Sequence, residues 1–255
     1  MCEVWQTIIH WAGVSETMTT TEQGGKQEVL VSVVIPVFNE EATVGDIVAR
    51  TKKTLEKLGV SYEVLVVDDG STDNSASIAQ KLDAHVLRKV HQGKGYTLRA
   101  GFEHARGELV VTLDADGSHR PEEIPLVLRL IEENGSDFVV GSRFSNSEAN
   151  KAKVPKLNQV GNRLFNDLIG YLTGVKISDS QSGFRAFRSS LIKRMRLSSR
   201  GYEVESEMLI KALRMRAKVE ETPISFDQRT VGTSKLDPVK DGARILYAII
   251  ASYLS

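Results

Sequence analysis

Val31-Ser32-Val33-Val34-Ile35-Pro36-Val37, followed by Phe38 and the polar cluster Asn39-Glu40-Glu41, sets the pattern for the whole chain. The run is short, β-branched and nearly free of polar residues, as in a strand buried on both faces of a parallel sheet. Asn39-Glu40-Glu41 then reads as a helix opening, with Asn39 as cap and acids in the first turn. Val44, Ile47, Val48, Thr51, Leu55 and Leu58 share one helical face, and Gly59 ends it.

Working outward, the alternation repeats. Val64-Leu65-Val66-Val67 is a second buried strand ending in Asp68-Asp69-Gly70-Ser71, with a helix through Ile78 and Leu82 and a short strand at residues 84–87. Gly93-Lys94-Gly95 introduces a helix to about Arg106. Leu109-Val110-Val111-Thr112-Leu113 is the next strand, ending in Asp114-Ala115-Asp116. Pro121 starts a helix to about Glu133, and Phe138-Val139-Val140 leads into Gly141-Ser142-Arg143. Alternating strands and helices predict an α/β fold, a central mostly parallel sheet flanked by helices with right-handed crossovers. The second half is less regular: a helix at residues 162–172, a turn-rich segment from Asp179 to Arg185, and alternating Glu203, Glu205 and Glu207 before a helix to about Arg216. A strand at residues 223–226, a basic loop at 228–236 and an amphipathic helix from about Pro238 complete it.

Composition bounds the function. The 255 residues carry 33 Lys+Arg and 33 Asp+Glu, with 41% hydrophobic residues, as in an ordinary folded protein without the basic excess of a nucleic-acid binder. One cysteine, Cys2, excludes an internal disulfide framework and a multi-cysteine zinc site. No run reaches the roughly 18 apolar residues of a membrane span. Residues 1–28 read as a variable extension, residues 29–236 as the main folded domain, and residues 237–255 as an amphipathic helix suited either to the core or to a membrane surface.

Ligands of open α/β sheets bind at the carboxyl ends of strands. Asn39-Glu40, Asp68-Asp69, Asp114 with Asp116, and Ser142-Arg143 all fall there. Two carboxylates flanking one residue suit Mg²⁺ or Mn²⁺, whose shell water and phosphates complete. Asp68 and Asp69 suit a ribose or base, and Arg143, Arg185, Arg229 and Lys235 suit phosphate. Gly93-Lys94-Gly95 lacks the spacing of a Walker loop. His119, at a helix start beside Arg120 and Pro121, reads first as structural, with metal ligation or acid-base chemistry as the other reading.

Together, Val34-Ile35-Pro36-Val37-Phe38-Asn39-Glu40-Glu41, Val67-Asp68-Asp69-Gly70-Ser71-Thr72-Asp73 and Leu113-Asp114-Ala115-Asp116-Gly117 resemble a family 2 glycosyltransferase of the Rossmann-like GT-A fold. Val140-Gly141-Ser142-Arg143, Ser182-Gly183-Phe184-Arg185 and the segment Arg229 to Lys235 narrow the resemblance to the dolichyl-phosphate mannose/glucose synthase branch. It implies inverting transfer of one hexose from a nucleotide sugar, GDP-mannose or a UDP-sugar, to dolichyl or another polyprenyl phosphate. The expected place is the cytosolic face of a membrane, in peripheral contact with it and without nucleic acid. Carried over by position, Pro36, Asn39, Glu40, Asp68, Asp69, Lys94, Asp114, Ala115 and Asp116 line the nucleotide-sugar site. Asp114 and Asp116 hold Mg²⁺ or Mn²⁺, and Arg143, Arg229, Ser234 and Lys235 meet the acceptor phosphate. Asp116, Arg143, Arg229 and Lys235 are the expected catalytic residues. Ser118 departs from the glutamine common in mannose synthases two positions after the second aspartate, so water stands in for a third protein ligand. The competing readings are transfer to a hydroxyl acceptor and a non-catalytic sugar-nucleotide-binding protein.

Overall fold

The computed structural model describes residues 30–145, 153–229 and 237–255. The expected extension at 1–28 and the loop residues Ser234 and Lys235 lie outside them.

Seven strands form one sheet: β1 (Val31–Val37), β2 (Tyr62–Asp68), β3 (His85–Arg88), β4 (Leu109–Thr112), β5 (Phe138–Ser142), β6 (Arg185–Arg188) and β7 (Val219–Pro223), in the order β3-β2-β1-β4-β6-β5-β7. β6 runs antiparallel to both β4 and β5, and the remaining pairs are parallel. The helices are α1 (Val44–Leu58), α2 (Ser75–Lys81), α3 (Lys94–His104), α4 (Ile124–Glu133, after a 3₁₀ turn at Pro121–Glu123), α5 (Lys156–Thr173), α6 (Ser189–Arg194), α7 (Val204–Arg214) and α8 (Lys240–Leu254).

Because side chains alternate across a strand, the apolar runs divide into two cores. Val33, Ile35, Val66 and Val111 pack with Ile47 of α1 and Ile124 of α4 on one face. Val34, Val67, Val110 and Phe138 pack with Leu98 of α3, Phe165 of α5, Leu209 of α7 and Ile249 of α8 on the other. The result is the three-layer mixed architecture that the alternation implies.

Three local expectations change. Asn39 does not cap α1: it adopts φ +54, and its Oδ1 accepts the Thr72 amide at 2.8 Å. The Glu40 carbonyl accepts the amides of Thr43 and Val44 instead, and the helix starts at Val44. The expected strand at 223–226 lies earlier, as β7. The strand β6, which was not expected, starts at Arg185, the last residue of the segment read as turn-rich, and runs between β4 and β5.

Candidate active site

The carboxyl ends of β1, β4 and β5 open on one cavity of about 1770 Å³. It brings together Pro36, Glu40, Asp69, Lys94, Asp114, Ala115, Asp116, Arg143 and Arg229 of the expected site. Asn39 and Asp68 are not in its wall. Asn39 ties the loop after β1 to the loop after β2 by accepting the Thr72 amide, and Asp68 Oδ1 accepts the Ser71 amide at 3.1 Å within the loop after β2.

Asp69 faces the cavity but is 3% exposed, with its oxygens accepting the amides of Gln92 and Gly93, each at 2.9 Å. His91 Nδ1 lies 2.8 Å from the same carboxylate, and its ring stacks on Phe38 with centroids 4.2 Å apart. Asp69 therefore shapes the entrance to α3. Gly93-Lys94-Gly95 is not a phosphate cradle either. The Arg200 carbonyl accepts the Gly95 amide at 2.7 Å, and a Cβ on Gly93 or Gly95 would lie 2.6 or 2.5 Å from a carbonyl oxygen of this neighbouring segment. The glycines admit backbone, and they deliver Lys94 to the cavity.

Lys94 Nζ sits 2.6 Å from Asp114 Oδ1 and 2.8 Å from Glu205 Oε1. Burial disfavours its charge, but the two carboxylates outweigh burial and raise its pKa. For Asp114, burial works against ionisation, and Lys94 overcomes it to hold the carboxyl below its usual range. Gly183 leaves room for that carboxylate: a Cβ there would stand 2.4 Å from Asp114 Oδ2. Asp116 Oδ1 accepts the Ser118 amide at 3.0 Å and the Ser118 hydroxyl at 2.6 Å. Ser118 thus orients Asp116 rather than reaching past it. Asp116 Oδ2 lies 3.8 Å from Arg229 Nη1, while Arg229 Nη2 donates to Glu40.

A divalent cation fits this donor set. Both aspartates are partly open to the cavity, and a cation would take over oxygens that Lys94 and Arg229 now face. Among the described residues no group of three or more His, Cys, Asp or Glu is arranged to enclose a metal ion. A two-carboxylate site completed by substrate oxygens and water suits Mg²⁺ or Mn²⁺.

The two arginines separate. Arg143 lines the cavity and makes a bidentate pair with Asp179, both bonds 2.7 Å; burial opposes its charge, but Asp179 keeps its pKa raised. Arg185 does not reach a phosphate. It is fully buried, and its guanidinium donates to the carbonyls of Ser182, Glu205 and Ser180 at 2.6–2.7 Å, with burial lowering its pKa to about 10. His119 is 2% exposed, packed near Phe184 and Phe226, with neither ring nitrogen hydrogen-bonded. Burial lowers its pKa against the pull of Asp114 and Asp116.

The three glutamates also separate. Glu207 accepts the amides of Ser198 and Ser199 and pairs with Lys211, and Glu203 accepts those of Arg200 and Gly201. Only Glu205 of the three turns its charge to Lys94. Its alternation with two structural glutamates hid it, because the segment is helical and period two does not apply. Gly183 was legible only as part of a motif.

From this polar end the cavity continues between α5 and α8, past Leu157, Val160, Phe165, Tyr247 and Ala251. The groove was not foreseen, since it depends on two helices distant in sequence packing side by side.

The family model described as Glycosyl transferase family 2 matches residues 32–196. An uncharacterized protein of Methanocaldococcus jannaschii, MJ1222, is 34% identical over 86% of this chain and 90% of its own. Glycosyltransferase AglJ of Haloferax volcanii is 32% identical over 84% of this chain and 69% of its own. The undecaprenyl-phosphate 4-deoxy-4-formamido-L-arabinose transferase of Shewanella sediminis is 38% identical over 65% of this chain, which spans half of that longer protein. In fold, the chain is similar to mannosyl-3-phosphoglycerate synthase from Rubrobacter xylanophilus, with TM-score 0.73, 21% identity and 99% of this chain and 76% of that one covered. With the mixed sheet and the carboxylate cluster at its strand ends, these matches establish that the chain belongs to glycosyltransferase family 2.

Proposed function

We propose that this enzyme transfers one hexose, with inversion, from a nucleotide sugar to a polyprenyl phosphate such as dolichyl phosphate, using Mg²⁺ or Mn²⁺ at the cytosolic face of a membrane. GDP-mannose is the favoured donor, and UDP-glucose or another UDP-sugar the second reading. The carrying observation is the continuity of one cavity, from the charged cluster around Asp114 into the apolar groove between α5 and α8. Such a cavity suits two charged headgroups at one end and a hydrocarbon chain at the other.

The nucleotide would lie over Pro36 and the Phe38–His91 stack, with its diphosphate toward Asp114, Asp116 and Lys94. A metal held by the two aspartates would stabilise negative charge developing on the leaving diphosphate. Lys94 supplies fixed positive charge on the same side. Arg143, pinned by Asp179, and Arg229, pinned by Glu40, would orient the acceptor phosphate, with Ser234 and Lys235 assigned to the same task by motif position. A phosphate monoester is largely dianionic at neutral pH and needs no strong general base, whereas a hydroxyl does. The engagement of Glu203 and Glu207 in backbone amides supports the phosphate acceptor.

The test is a transfer assay with purified protein, Mg²⁺ or Mn²⁺, and GDP-mannose, UDP-glucose or UDP-N-acetylglucosamine, with and without a polyprenyl phosphate. Metal- and acceptor-dependent sugar-lipid is the expected product. Nucleotide-sugar binding without it, in every combination, overturns the reading.

A further inference from the structure

Glu205 is 2% exposed, and among the described residues the charged group that reaches its carboxylate is the Lys94 ammonium. A carboxylate buried that way is costly unless a nearby charge compensates. Lys94, 2.8 Å away, does so while lying 2.6 Å from Asp114. Glu205 is also fixed from behind, since its carbonyl accepts Nη1 of the buried Arg185. One ammonium is therefore divided between a carboxylate assigned to the metal and one that is not. The arrangement recurs on the other side of the site, where Arg229 is divided between Asp116 and Glu40.

Resting on the metal site proposed above, we propose that Glu205 is a positioning residue that sets metal affinity through Lys94. Without it, the full charge of Lys94 would fall on Asp114, and an incoming cation would have to displace a buried ammonium with nowhere else to go. With it, Lys94 keeps a carboxylate partner when Asp114 turns to the metal, and stays at the edge of the cavity where the donor diphosphate would lie. Glu205 acts only through Lys94, so its influence disappears when Lys94 is neutral.

The experiment is Mn²⁺ binding followed by electron paramagnetic resonance of the free ion, without nucleotide, with far-UV circular dichroism as the check on folding. Glu205→Gln is expected to weaken Mn²⁺ binding about tenfold, because the ammonium concentrates on Asp114. Lys94→Met is expected to tighten it several-fold, since a competing cation is gone. In the double variant the effect of Glu205→Gln should shrink to less than about threefold. A purely structural Glu205 would weaken binding by the same factor whether or not Lys94 is present. Should Glu205→Gln not fold, Glu205→Asp keeps the charge and lengthens the pair, and intermediate weakening is expected. Unchanged affinity in the Glu205 variants, or an undiminished Glu205 effect without Lys94, overturns the inference while leaving the metal site intact. A wild-type protein that binds no Mn²⁺ either alone or with a nucleoside diphosphate added removes the metal site and this inference together.

Discussion

Gly183 makes room for Asp114: a Cβ at Gly183 would stand 2.4 Å from Oδ2 of the aspartate and 2.9 Å from its Cγ. Gly183 is absent from the positive-φ glycines, so alanine fits its backbone, and its nearest conflict is with the carboxylate. Gly183→Ala should lower turnover at least about a hundredfold, by swinging Asp114 off Lys94, while costing roughly 1–3 kcal/mol of stability. Kinetics beside a urea melt check it. Turnover near wild type would mean that Asp114 can work from another rotamer.

Asp116 and Ser118 form a graded pair. Asp116→Ala removes a proposed metal ligand and is expected to abolish turnover in a folded protein. Ser118→Ala removes the 2.6 Å bond that fixes Asp116 but leaves the carboxylate, so a loss of about tenfold is expected, chiefly as weaker Mn²⁺ dependence. Titrating activity with Mn²⁺ separates the two variants, and equal losses would contradict an orienting role for Ser118.

Arg185 and Arg143 should fail in different ways. Lysine at 185 cannot satisfy three carbonyls held by a planar guanidinium, and Arg185→Lys is expected to cost about 3 kcal/mol of stability. Arg143→Lys keeps charge at the cavity but loses the fork on Asp179. It should leave the melt nearly unchanged and reduce turnover. Denaturant melts and specific activity on both variants read this directly.

The same two arginines show what the sequence could and could not reveal. β1, β2, β4 and β5 are continuous apolar runs, so the sheet and its strand-end carboxylates were legible from hydrophobic pattern alone. β6 was not. Its residues are Arg185-Ala186-Phe187-Arg188, and charged ends on four residues look like a loop until Arg185 is seen bonded to carbonyls across the core. Asp69 is a different case: its place at a strand end was legible, but that its oxygens accept backbone amides was not. Strand-end placement identifies the edge of the sheet that binds. Which carboxylates remain open there depends on tertiary neighbours.

Glu132, half-buried on α4, offers a pH test away from the site. Burial raises its pKa to about 6, against the milder pull of Arg188. A carboxyl raised in the folded state binds its proton more tightly there than in the unfolded chain. Stability therefore falls as pH rises from the ordinary carboxylate value through about 6. Glu132→Gln should stabilise the protein by about 1 kcal/mol at pH 8, after discounting for solvent screening, and by almost nothing at pH 4. Melts at the two pH values check the difference. Equal effects at both would show that the proton is not involved.

Exposed apolar residues on α5 and α8, some of them at the mouth of the groove, suit a lipid surface. Leu157, Val160, Leu164 and Tyr171 follow helical spacing along α5 and are 59–86% exposed. Tyr247, Ile250 and Leu254 do so on α8, while its Ile245 and Ile249 face the core. Exposed Lys156, Arg163, Lys240 and Arg244 lie on the same two helices. No helix among the described residues is long and apolar enough to cross a membrane; the exposed apolar residues beside basic ones are the features that suit interfacial contact. Leu164 and Ile250 are outside the cavity wall. Replacing each with serine should weaken co-sedimentation with anionic vesicles about fivefold to tenfold. Transfer to a short, water-soluble polyprenyl phosphate should be unaffected. Added salt should weaken vesicle binding through the basic residues without abolishing it, because the apolar contribution is not screened. Vesicle binding that is unchanged in the double serine variant would place the membrane contact elsewhere on the protein.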